Sequence, residues 1–391
     1  MKSLHQQILL DVATLPTAPF VETAIHDYVR SFTRARRSLL ARADRWGNLM
    51  VDYASGRKSA AGPLWFAAHS DHPGFVADRM VGARELRAHW FGGVAASFFK
   101  NEAVTFFVRS GPAYRRVPGK IRRVVLGGPA ARRSQFGRRV ESVVVEVGEP
   151  VPGGTVGMWG LPDPKIVGSR LFARSHDDTT QVAALLCLLD ELDRKRPAGR
   201  VTCAFTRAEE SGFVGAIGLV RDGTLPHKAV YISLECSDAV SAGAKAGEGP
   251  ILRVGDRTTT FDQPTLSWMD EIAHELAARP GKLKFQHQRK LMPGGTCEST
   301  AVVAFGHITG AICLPLLNYH NMNQASGRIE SEIIDLADFE KELVWLEELV
   351  RQSGRLATIN QTLVRGMNDR FRKFGPLLKK WWPGGKPEAR G

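Results

Sequence analysis

The chain has 391 residues, of which 43% are apolar, and its 53 Lys and Arg against 40 Asp and Glu give a net charge of +13. This length predicts two to three domains of about 150 residues each, and the composition excludes a coiled coil, a collagen-like chain and a wholly disordered protein. Every apolar run is shorter than the ~20 residues of a transmembrane helix, so an integral membrane protein is not expected.

The first 33 residues predict two short helices, which Pro16 and Pro19 separate. A secretory signal peptide is not expected there, because Asp11 interrupts the short apolar run and no small-residue cleavage site follows. Residues 64–68 form a compact apolar run after a Gly-Pro turn signal. Such a run is typical of a buried strand.

Residues 76–168 differ in composition from the rest of the chain. Short runs rich in β-branched and aromatic residues, such as 103–108 and 143–147, alternate with Gly and Pro turns. No helical period is sustained, so the segment predicts a small all-β domain. The segment has 15 Lys and Arg against 7 Asp and Glu, which accounts for +8 of the net charge.

After about residue 170, predicted strands and helices alternate. A helix is predicted over 179–193, buried strands over 201–205, 230–234 and 311–314, and a long closing helix over 339–350. This alternation predicts an α/β fold with a mixed, largely parallel central sheet flanked by helices. The all-β segment is then an insertion into that fold.

Several other classes of protein are not expected. The five cysteines are odd in number and show no C-x-x-C spacing, which argues against a disulfide framework or a structural zinc site and favours a cytoplasmic location. The chain has no G-x-G-x-x-G or G-x-x-x-x-G-K-[ST] loop and no recognisable nucleic-acid-binding motif. Nucleotide and nucleic-acid binding are therefore not expected.

Side chains able to bind a metal are concentrated in five short segments, most of which follow predicted strands: His69 with Asp71, Asp177 with Asp178, Glu209 with Glu210, Glu235, and His320. Each segment alone has an ordinary interpretation as a loop polar group, a helix cap or a solvated turn. Together they predict a site, because functional groups of open α/β sheets gather outside the carboxyl ends of the strands. Two imidazoles with three carboxylates suit two divalent ions, zinc or alternatively cobalt or manganese, that share one carboxylate.

The order and surroundings of these segments resemble the glutamyl aminopeptidase / tetrahedral aminopeptidase family of co-catalytic metallopeptidases. The HxDxxGF, DD, EExGxxGA and late His motifs of that family are matched at 69–75, 177–178, 209–216 and His320, and the Pro-Gly-Gly-Thr at 293–296 is similar to its GGT loop. The resemblance extends from about residue 3 to about residue 355.

The 108 positions between His69 and Asp177 leave room for the β-rich domain that this family inserts there. The related carboxypeptidase and dipeptidase branch places its extra domain after the later ligands. The resemblance implies an inserted domain that builds homo-oligomers and controls access. The predicted division of the chain is a catalytic domain of 1–75 and 169–365, an inserted domain of 76–168 and, beyond the resemblance, a basic aromatic tail of 366–391.

The resemblance also implies the ligand set. One metal would be held by His69, Asp177 and Glu235, and the second by Asp177, Glu210 and His320, so that Asp177 bridges the two ions.

Two further roles are implied by the resemblance. Asp71 would orient His69, and Glu209 would act as the general base in hydrolysis of the N-terminal peptide bond of a peptide substrate. Two other interpretations remain open: a different amide hydrolase on the same scaffold, such as an acylamino-acid or dipeptide amidase, and an inactive metal-binding or scaffold protein.

The chain departs from the family pattern at four positions. Thr179 follows the Asp pair where relatives carry Arg, and Cys297 replaces the Asp after GGT. Glu235 stands where Asp is commoner, and Asn321 follows His320 where relatives have Ser. No expected ligand is lost, so these changes bear on substrate preference and metal spacing.

Two basic features lie outside the metal-binding pattern. Arg pairs at 115–116, 122–123, 132–133 and 138–139 are interpreted either as surface ion pairs or as a site for acidic peptides or partner subunits. The tail 366–391 has 7 Lys and Arg against 2 Asp and Glu, interleaved with aromatic residues. Its alternatives are docking on its own body, disorder, contact with an anionic membrane surface and binding of a nucleic-acid strand.

Overall fold

The computed structural model describes residues 1–56, 63–111, 113–128, 139–281 and 283–380. Some residues singled out in the sequence lie outside the described residues. They are three arginines of the basic pairs, Arg132, Arg133 and Arg138, and two tail residues, Trp381 and Trp382. The described residues form an α/β layer and a separate small closed β-barrel.

Within the described residues the α-helices are α1 Ser3–Thr14, α2 Thr23–Arg34, α3 His176–Lys195, α4 Val214–Arg221, α5 Gln263–Ala278, α6 Glu298–Ala304, α7 Leu336–Arg351 and α8 Ile359–Lys380. The two N-terminal helices, the helix after Asp178 and the closing helix are confirmed. The closing helix starts at Leu336, three residues before the predicted 339, because the side chain of Asp335 caps it, accepting a hydrogen bond of 2.8 Å from the backbone N–H of Ala337.

The strands are β1 Leu39–Ala43, β2 Leu49–Ser55, β3 Leu64–His69, β4 Gly74–Met80, β5 Glu85–Phe91, β6 Ala103–Ser110, β7 Ala113–Leu126, β8 Val140–Val147, β9 Val156–Trp159, β10 Lys165–Val167, β11 Arg170–Ala173, β12 Gly199–Thr206, β13 Val230–Asp238, β14 Ile251–Asp256, β15 Gln288–Met292, β16 Ile308–Leu316, β17 Met322–Asn323, β18 Arg328–Ile329 and β19 Glu332–Asp335. The four buried strands predicted from apolar runs are β3, β12, β13 and β16.

The central sheet has the strand order β1-β2-β12-β3-β13-β16-β14-β15. The strands β12, β3, β13 and β16 at its centre are parallel, whereas β1, β2 and β14 pair antiparallel with their neighbours β2, β12 and β16. The α/β class and the mixed sheet are therefore confirmed. Parallel strands place all their carboxyl ends at one edge of the sheet.

Helices cover both faces of this sheet, which explains why β3 is apolar throughout. Phe66 and Ala68 pack in the cluster that includes α1, α3 and α7, while Trp65 and Ala67 pack in the cluster that includes α4 and α6. Because successive side chains of a strand point to opposite faces, a strand buried on both sides has an unbroken apolar sequence.

The β-barrel is built from six strands in the order β4-β5-β8-β7-β6-β9. Its interior contains an aromatic cluster in which Phe75, Trp90, Phe99 and Trp159 meet at ring-centroid distances of 4.6 to 6.3 Å. This cluster gives the barrel a core of its own, separate from that of the α/β layer.

The barrel strands begin at Gly74 and end at Trp159, so their limits differ from those of the predicted insertion, 76–168. The first barrel strand begins at Gly74, and β10 lies within 76–168 but pairs with β11, which in turn pairs with β19, outside the barrel. The division into domains at 75, 168 and 365 stays a prediction. The described basic pairs include surface ion pairs, such as Arg116 Nη2 at 2.7 Å from Asp163 Oδ1.

Residues 359–380 form α8, a helix that the sequence analysis did not predict. Gly366, Gly375 and Pro376 all have low helix propensity and obscured its apolar period. Among the described side chains of α8, Ile359 at its start is buried against the body.

Among the described residues, no helix combines the length and apolar content needed to cross a bilayer. The five cysteines, at positions 187, 203, 236, 297 and 313, are all buried free thiols, so no disulfide links them. The cytoplasmic location stays a prediction.

Glu22 connects the N-terminal segment to the loop that precedes Glu209. Its buried carboxylate accepts hydrogen bonds from Arg207 Nε at 2.8 Å and from the backbone N–H groups of Ala208 at 3.0 Å and Phe20 at 2.8 Å. We expect Glu22→Ala to lower the free energy of unfolding by about 3 kcal/mol, because buried donors lose a charged acceptor. Urea denaturation followed by circular dichroism measures this change.

The matched control is Glu146→Ala, which removes the exposed partner of Arg122. Exposed ion pairs contribute less than about 1 kcal/mol. Equal losses in the two variants would show that Glu22 is not a structural link.

Candidate metal centre

The predicted site residues converge at the carboxyl edge of the parallel strands. His69 is the last residue of β3, Glu209 starts a short 3-10 helix after β12, and His320 lies in another 3-10 helix after β16. Glu235 was expected to follow its strand, but it lies inside β13, which continues to Asp238. The side chain still reaches the same edge, because Glu235 Oε2 lies 3.9 Å from His69 Nε2.

Asp177 lies between the two imidazoles. Its Oδ1 is 3.2 Å from His69 Nε2, and its Oδ2 is 3.4 Å from His320 Nε2. Glu210 Oε1 is 3.0 Å from His320 Nε2, and Glu235 Oε2 is 3.9 Å from His69 Nε2. The structure therefore brings all five residues together, with one oxygen of Asp177 directed at each imidazole.

Hydrogen bonds to backbone carbonyls determine which nitrogen of each imidazole faces this cluster. His69 Nδ1 is 3.1 Å from the carbonyl oxygen of Asp71, and His320 Nδ1 is 2.8 Å from that of Gly93. Because a carbonyl oxygen only accepts, each Nδ1 carries the hydrogen and donates it. In the neutral rings each Nε2 then directs a lone pair at carboxylate oxygens, an arrangement that an intervening cation stabilises.

Acidic groups outnumber imidazoles in this buried region. Burial raises the pKa of Glu209, and it raises the pKa of Glu235 to about 8. Burial lowers the pKa of His69 and His320, but the adjacent carboxylates raise it more, so the net direction for both rings is upward. Burial disfavours the charged carboxylates, and the carboxylates in turn favour protonated imidazoles, so both effects favour a positive charge placed among the acids.

Three buried atoms of the cluster have no hydrogen-bond partner: Asp177 Oδ1, Glu235 Oε1 and His320 Nε2. Buried polar atoms are normally hydrogen-bonded, so unpaired ones that face a common space fit a ligand. Ligand atoms of Asp177, Glu210 and His320 lie within 4.8 Å of one another. Carboxylate oxygens with imidazole nitrogens are the donor set of zinc, cobalt and manganese, so these residues fit a divalent metal.

Asp178 was left without a role by the sequence analysis, although it forms a similar group with His69 and Asp177. Its Oδ2 accepts a hydrogen bond of 3.2 Å from the backbone N–H of His69. This bond fixes the backbone at the end of β3.

Asp71 contacts more than the imidazole it was expected to orient. Its carboxylate lies 3.5 Å from His69 Nδ1, and its two oxygens accept hydrogen bonds of 3.0 Å from the backbone N–H groups of Glu209 and Glu210. The carboxylate therefore holds the turn that presents both glutamates to the site.

Glu332 is a residue that the sequence analysis missed. It is fully buried, and its carboxylate accepts hydrogen bonds from the backbone N–H groups of Asp177 at 3.0 Å and His320 at 2.9 Å. Burial raises the pKa of Glu332. A single Glu in the short strand β19 carries no sequence signal that separates it from a surface residue.

Of the four positions that depart from the family pattern, Glu235 belongs to the cluster, whereas Thr179, Cys297 and Asn321 provide no ligand atom to it. Thr179 donates a hydrogen bond to the carbonyl of Ser175, and Asn321 Oδ1 is 3.0 Å from His72 Nε2. Cys297 is buried at the start of α6.

The cluster opens into a cavity of about 380 Å³. Gly294 and Thr296 of the Pro-Gly-Gly-Thr segment line this cavity, and so do three arginines, Arg139, Arg253 and Arg257. Arg139 comes from the segment that leads into barrel strand β8, so the wall of the cavity combines the two parts of the fold. The sequence analysis did not single out Arg253 and Arg257 as cavity residues, since isolated arginines follow no motif.

Solved structures share this fold. The TET1 peptidase of Pyrococcus horikoshii, described as assembling into a tetrahedron or a large octahedral shell, is 19% identical over 88% of this chain and 99% of its own, with a TM-score of 0.70. An aminopeptidase of Desulfurococcus kamchatkensis is 18% identical over 89% and 94%, with a TM-score of 0.71. A protein of Thermotoga maritima named an endoglucanase is 18% identical over 90% and 99%, with a TM-score of 0.63. At these identities the likeness shows the fold alone.

No curated protein sequence matches the chain significantly. The model of the M42 glutamyl aminopeptidase family matches residues 47–341, which is most of the chain and includes every predicted site residue. The resemblance inferred from the motifs is therefore confirmed, and the enzyme class is a peptidase. The chain belongs to the M42 glutamyl aminopeptidase family.

Proposed function

We propose that this protein is a dinuclear metal-dependent aminopeptidase that hydrolyses N-terminal residues from peptides. The observation that carries the proposal is the position of Asp177, whose two carboxylate oxygens each face an imidazole nitrogen at 3.2 and 3.4 Å. A carboxylate placed in this way suits a bridge between two cations.

Two sets of three residues would hold the metals. His69, Asp177 and Glu235 would form the first set, and Asp177, Glu210 and His320 the second. The unpaired buried atoms of Asp177, Glu235 and His320 support this assignment. The mixed N and O donors favour zinc, with cobalt or manganese as alternatives.

Glu209 would be the general base. When bound, the divalent ions would supply Lewis-acid polarisation of the scissile carbonyl and would increase the acidity of the attacking water. Glu209 Oε2 is 4.0 Å from His69 Nε2, so the carboxylate lies beside the cluster. Because burial raises the pKa of Glu209, the side chain binds the proton of the attacking water and can release it to the leaving amine.

The cavity suits a peptide with a free N-terminal amine. Carboxylates line it next to the metal-binding residues, and Asp238 adds another further along the wall. These groups can accept hydrogen bonds from an ammonium group. An N-acetylated substrate lacks that positive charge and the ammonium hydrogens, so it would lose these contacts.

We also propose that the chain forms a homo-oligomer through the inserted segment 76–168. The support comes from the described assembly of TET1 peptidase, which shares the fold, and from exposed apolar side chains on the barrel, including Val81 and Val125. Gly93 and Arg139 of this segment line the cavity. An assembly in which the segment contacts neighbouring subunits would therefore also restrict access to the cavity.

Turnover of free-amine substrates is expected to depend on Glu209. We expect Glu209→Gln to lower kcat by about 10²–10⁴-fold, because the amide cannot take a proton from water. The assay compares free and N-acetylated aminoacyl and peptide substrates, with exposed Glu248→Gln as the matched control. Turnover of acylated substrates only would assign an amidase, and no turnover by the metal-loaded protein would assign a binding protein.

The metal content is expected to be two ions per chain. We expect His320→Ala to retain about one ion per chain, because His69, Asp177 and Glu235 remain, and Asp177→Ala to lose both. Elemental analysis of the purified variants measures this. Removal of metal by a chelator should abolish turnover, and added zinc, cobalt or manganese should restore it. Two ions in Asp177→Ala would contradict the bridging assignment.

The oligomer is expected to depend on the barrel surface. We expect the paired substitution Val81→Asp and Val125→Asp to reduce the mass in solution towards 42.9 kDa, because buried charges destabilise an apolar interface. Analytical ultracentrifugation measures the mass, and Leu40→Asp, an exposed apolar position outside the barrel, is the control. A wild-type mass of one chain would contradict the proposal.

A further inference from the structure

One face of α8 is a stripe of large apolar side chains. At about 100° per residue, Val364, Met367, Phe371, Phe374 and Leu378 fall within an arc of about 80°. These five side chains, which we call the apolar stripe, are between 52% and 68% exposed. A helix in water rarely exposes two Phe, a Met and a Leu in one continuous row.

The opposite face of α8 is basic. Four basic residues lie on the side of α8 opposite the apolar stripe: Arg365, Arg372, Lys373 and Lys380. Arg370 lies near the edge of the stripe. The helix contains six Lys and Arg against one acidic residue, Asp369. Asp369 Oδ1 is 3.3 Å from Arg372 Nη2, so its charge is already paired within the helix.

The described body of the protein does not cover the apolar stripe. Ile359 is buried in the main hydrophobic core, and the start of α8 contacts the 3-10 helix at 353–358 and α5. From Val364 onward the stripe is exposed. The match to the family model ends at residue 341, before α8 begins.

We propose that α8 binds the surface of an anionic lipid bilayer. The apolar stripe would enter the boundary between headgroups and acyl chains, and the basic face would contact the negatively charged headgroups. A bilayer interface offers an apolar layer and an anionic layer side by side, which matches the separation of the two faces of α8. The long aliphatic stems of Lys and Arg let their charges reach the headgroups from a helix that lies in the interface.

Two other occupants match the two faces less well. A nucleic-acid strand would neutralise the basic face, but the aromatic residues point away from that face and the apolar stripe would remain in water. A second copy of α8 would cover the stripe, but it would bring Arg370 of each copy next to a surface that is already strongly positive.

Vesicle binding by the full-length protein tests the proposal. The probes are vesicles of phosphatidylcholine with about one third phosphatidylglycerol, and vesicles of phosphatidylcholine alone. We expect binding to the anionic vesicles that is at least ~10-fold tighter than to the neutral ones and that weakens as salt is raised. Co-sedimentation measures the bound fraction, and the absence of binding to anionic vesicles overturns the proposal.

Variants separate the two faces. The paired substitution Phe371→Ser and Phe374→Ser should weaken binding to anionic vesicles by at least ~10-fold. Leu378→Ser should weaken binding by a smaller factor. The matched control Leu40→Ser should leave binding unchanged, because Leu40 lies outside α8 although it is exposed to a similar extent, 66% against 68% for Leu378. Arg370→Glu with Arg372→Glu should remove the preference for anionic over neutral vesicles. Thermal unfolding of each variant verifies that the body is folded.

Three other results would also overturn the proposal. Equal binding by wild type and the Phe371→Ser and Phe374→Ser variant would exclude the apolar stripe. A lower mass of that variant in solution, without vesicle binding by wild type, would identify a second copy as the occupant. Tighter binding of a single-stranded oligonucleotide than of anionic vesicles would identify a nucleic acid.

Discussion

The site depends on one electrostatic constraint, which is the burial of several carboxylates at a single edge of the sheet. Negative charges removed from water are stable only when cations, protons or hydrogen-bond donors compensate them. Here the donors are largely backbone N–H groups, because Asp71, Asp178 and Glu332 each accept from the main chain beside a proposed ligand. The remaining compensation would come from divalent ions, because three of the five proposed ligands, Asp177, Glu235 and His320, keep unpaired buried atoms.

The supporting carboxylates also connect segments that are distant in the sequence. Glu332 joins the loop of Asp177 to the turn of His320, and Asp71 joins the end of β3 to the turn of Glu209. Each bond fixes a backbone position rather than a side-chain tip. The ligand geometry therefore depends on main-chain placement at strand ends, which a closely packed parallel sheet holds rigidly.

The strands that carry the site were predictable because strands buried on both faces have unbroken apolar sequences, as at 64–68 and 230–234. The five proposed ligands could be identified from motifs whose order and spacing are specific as a set, and the structure brings them together. The role of Glu332 could not be predicted, because it depends on tertiary contact with residues up to 155 positions away. The helix α8 was missed because two Gly and one Pro interrupt its pattern. The position of β10 outside the barrel was missed because β10 pairs with β11, whose other partner strand, β19, lies far along the chain.

The hydrogen bond from His320 Nδ1 to the carbonyl of Gly93 joins the two parts of the fold at one atom of the site. Gly93 follows the barrel strand β5, whereas His320 follows β16 of the central sheet. A shift of the barrel that lengthens this bond removes the acceptor that keeps His320 in the tautomer needed to bind a cation. Thermodynamic linkage makes the effect reciprocal, so a cation held by His320, as proposed, would also favour the barrel position that the bond requires. Metal affinity and barrel position would in this way be a single equilibrium.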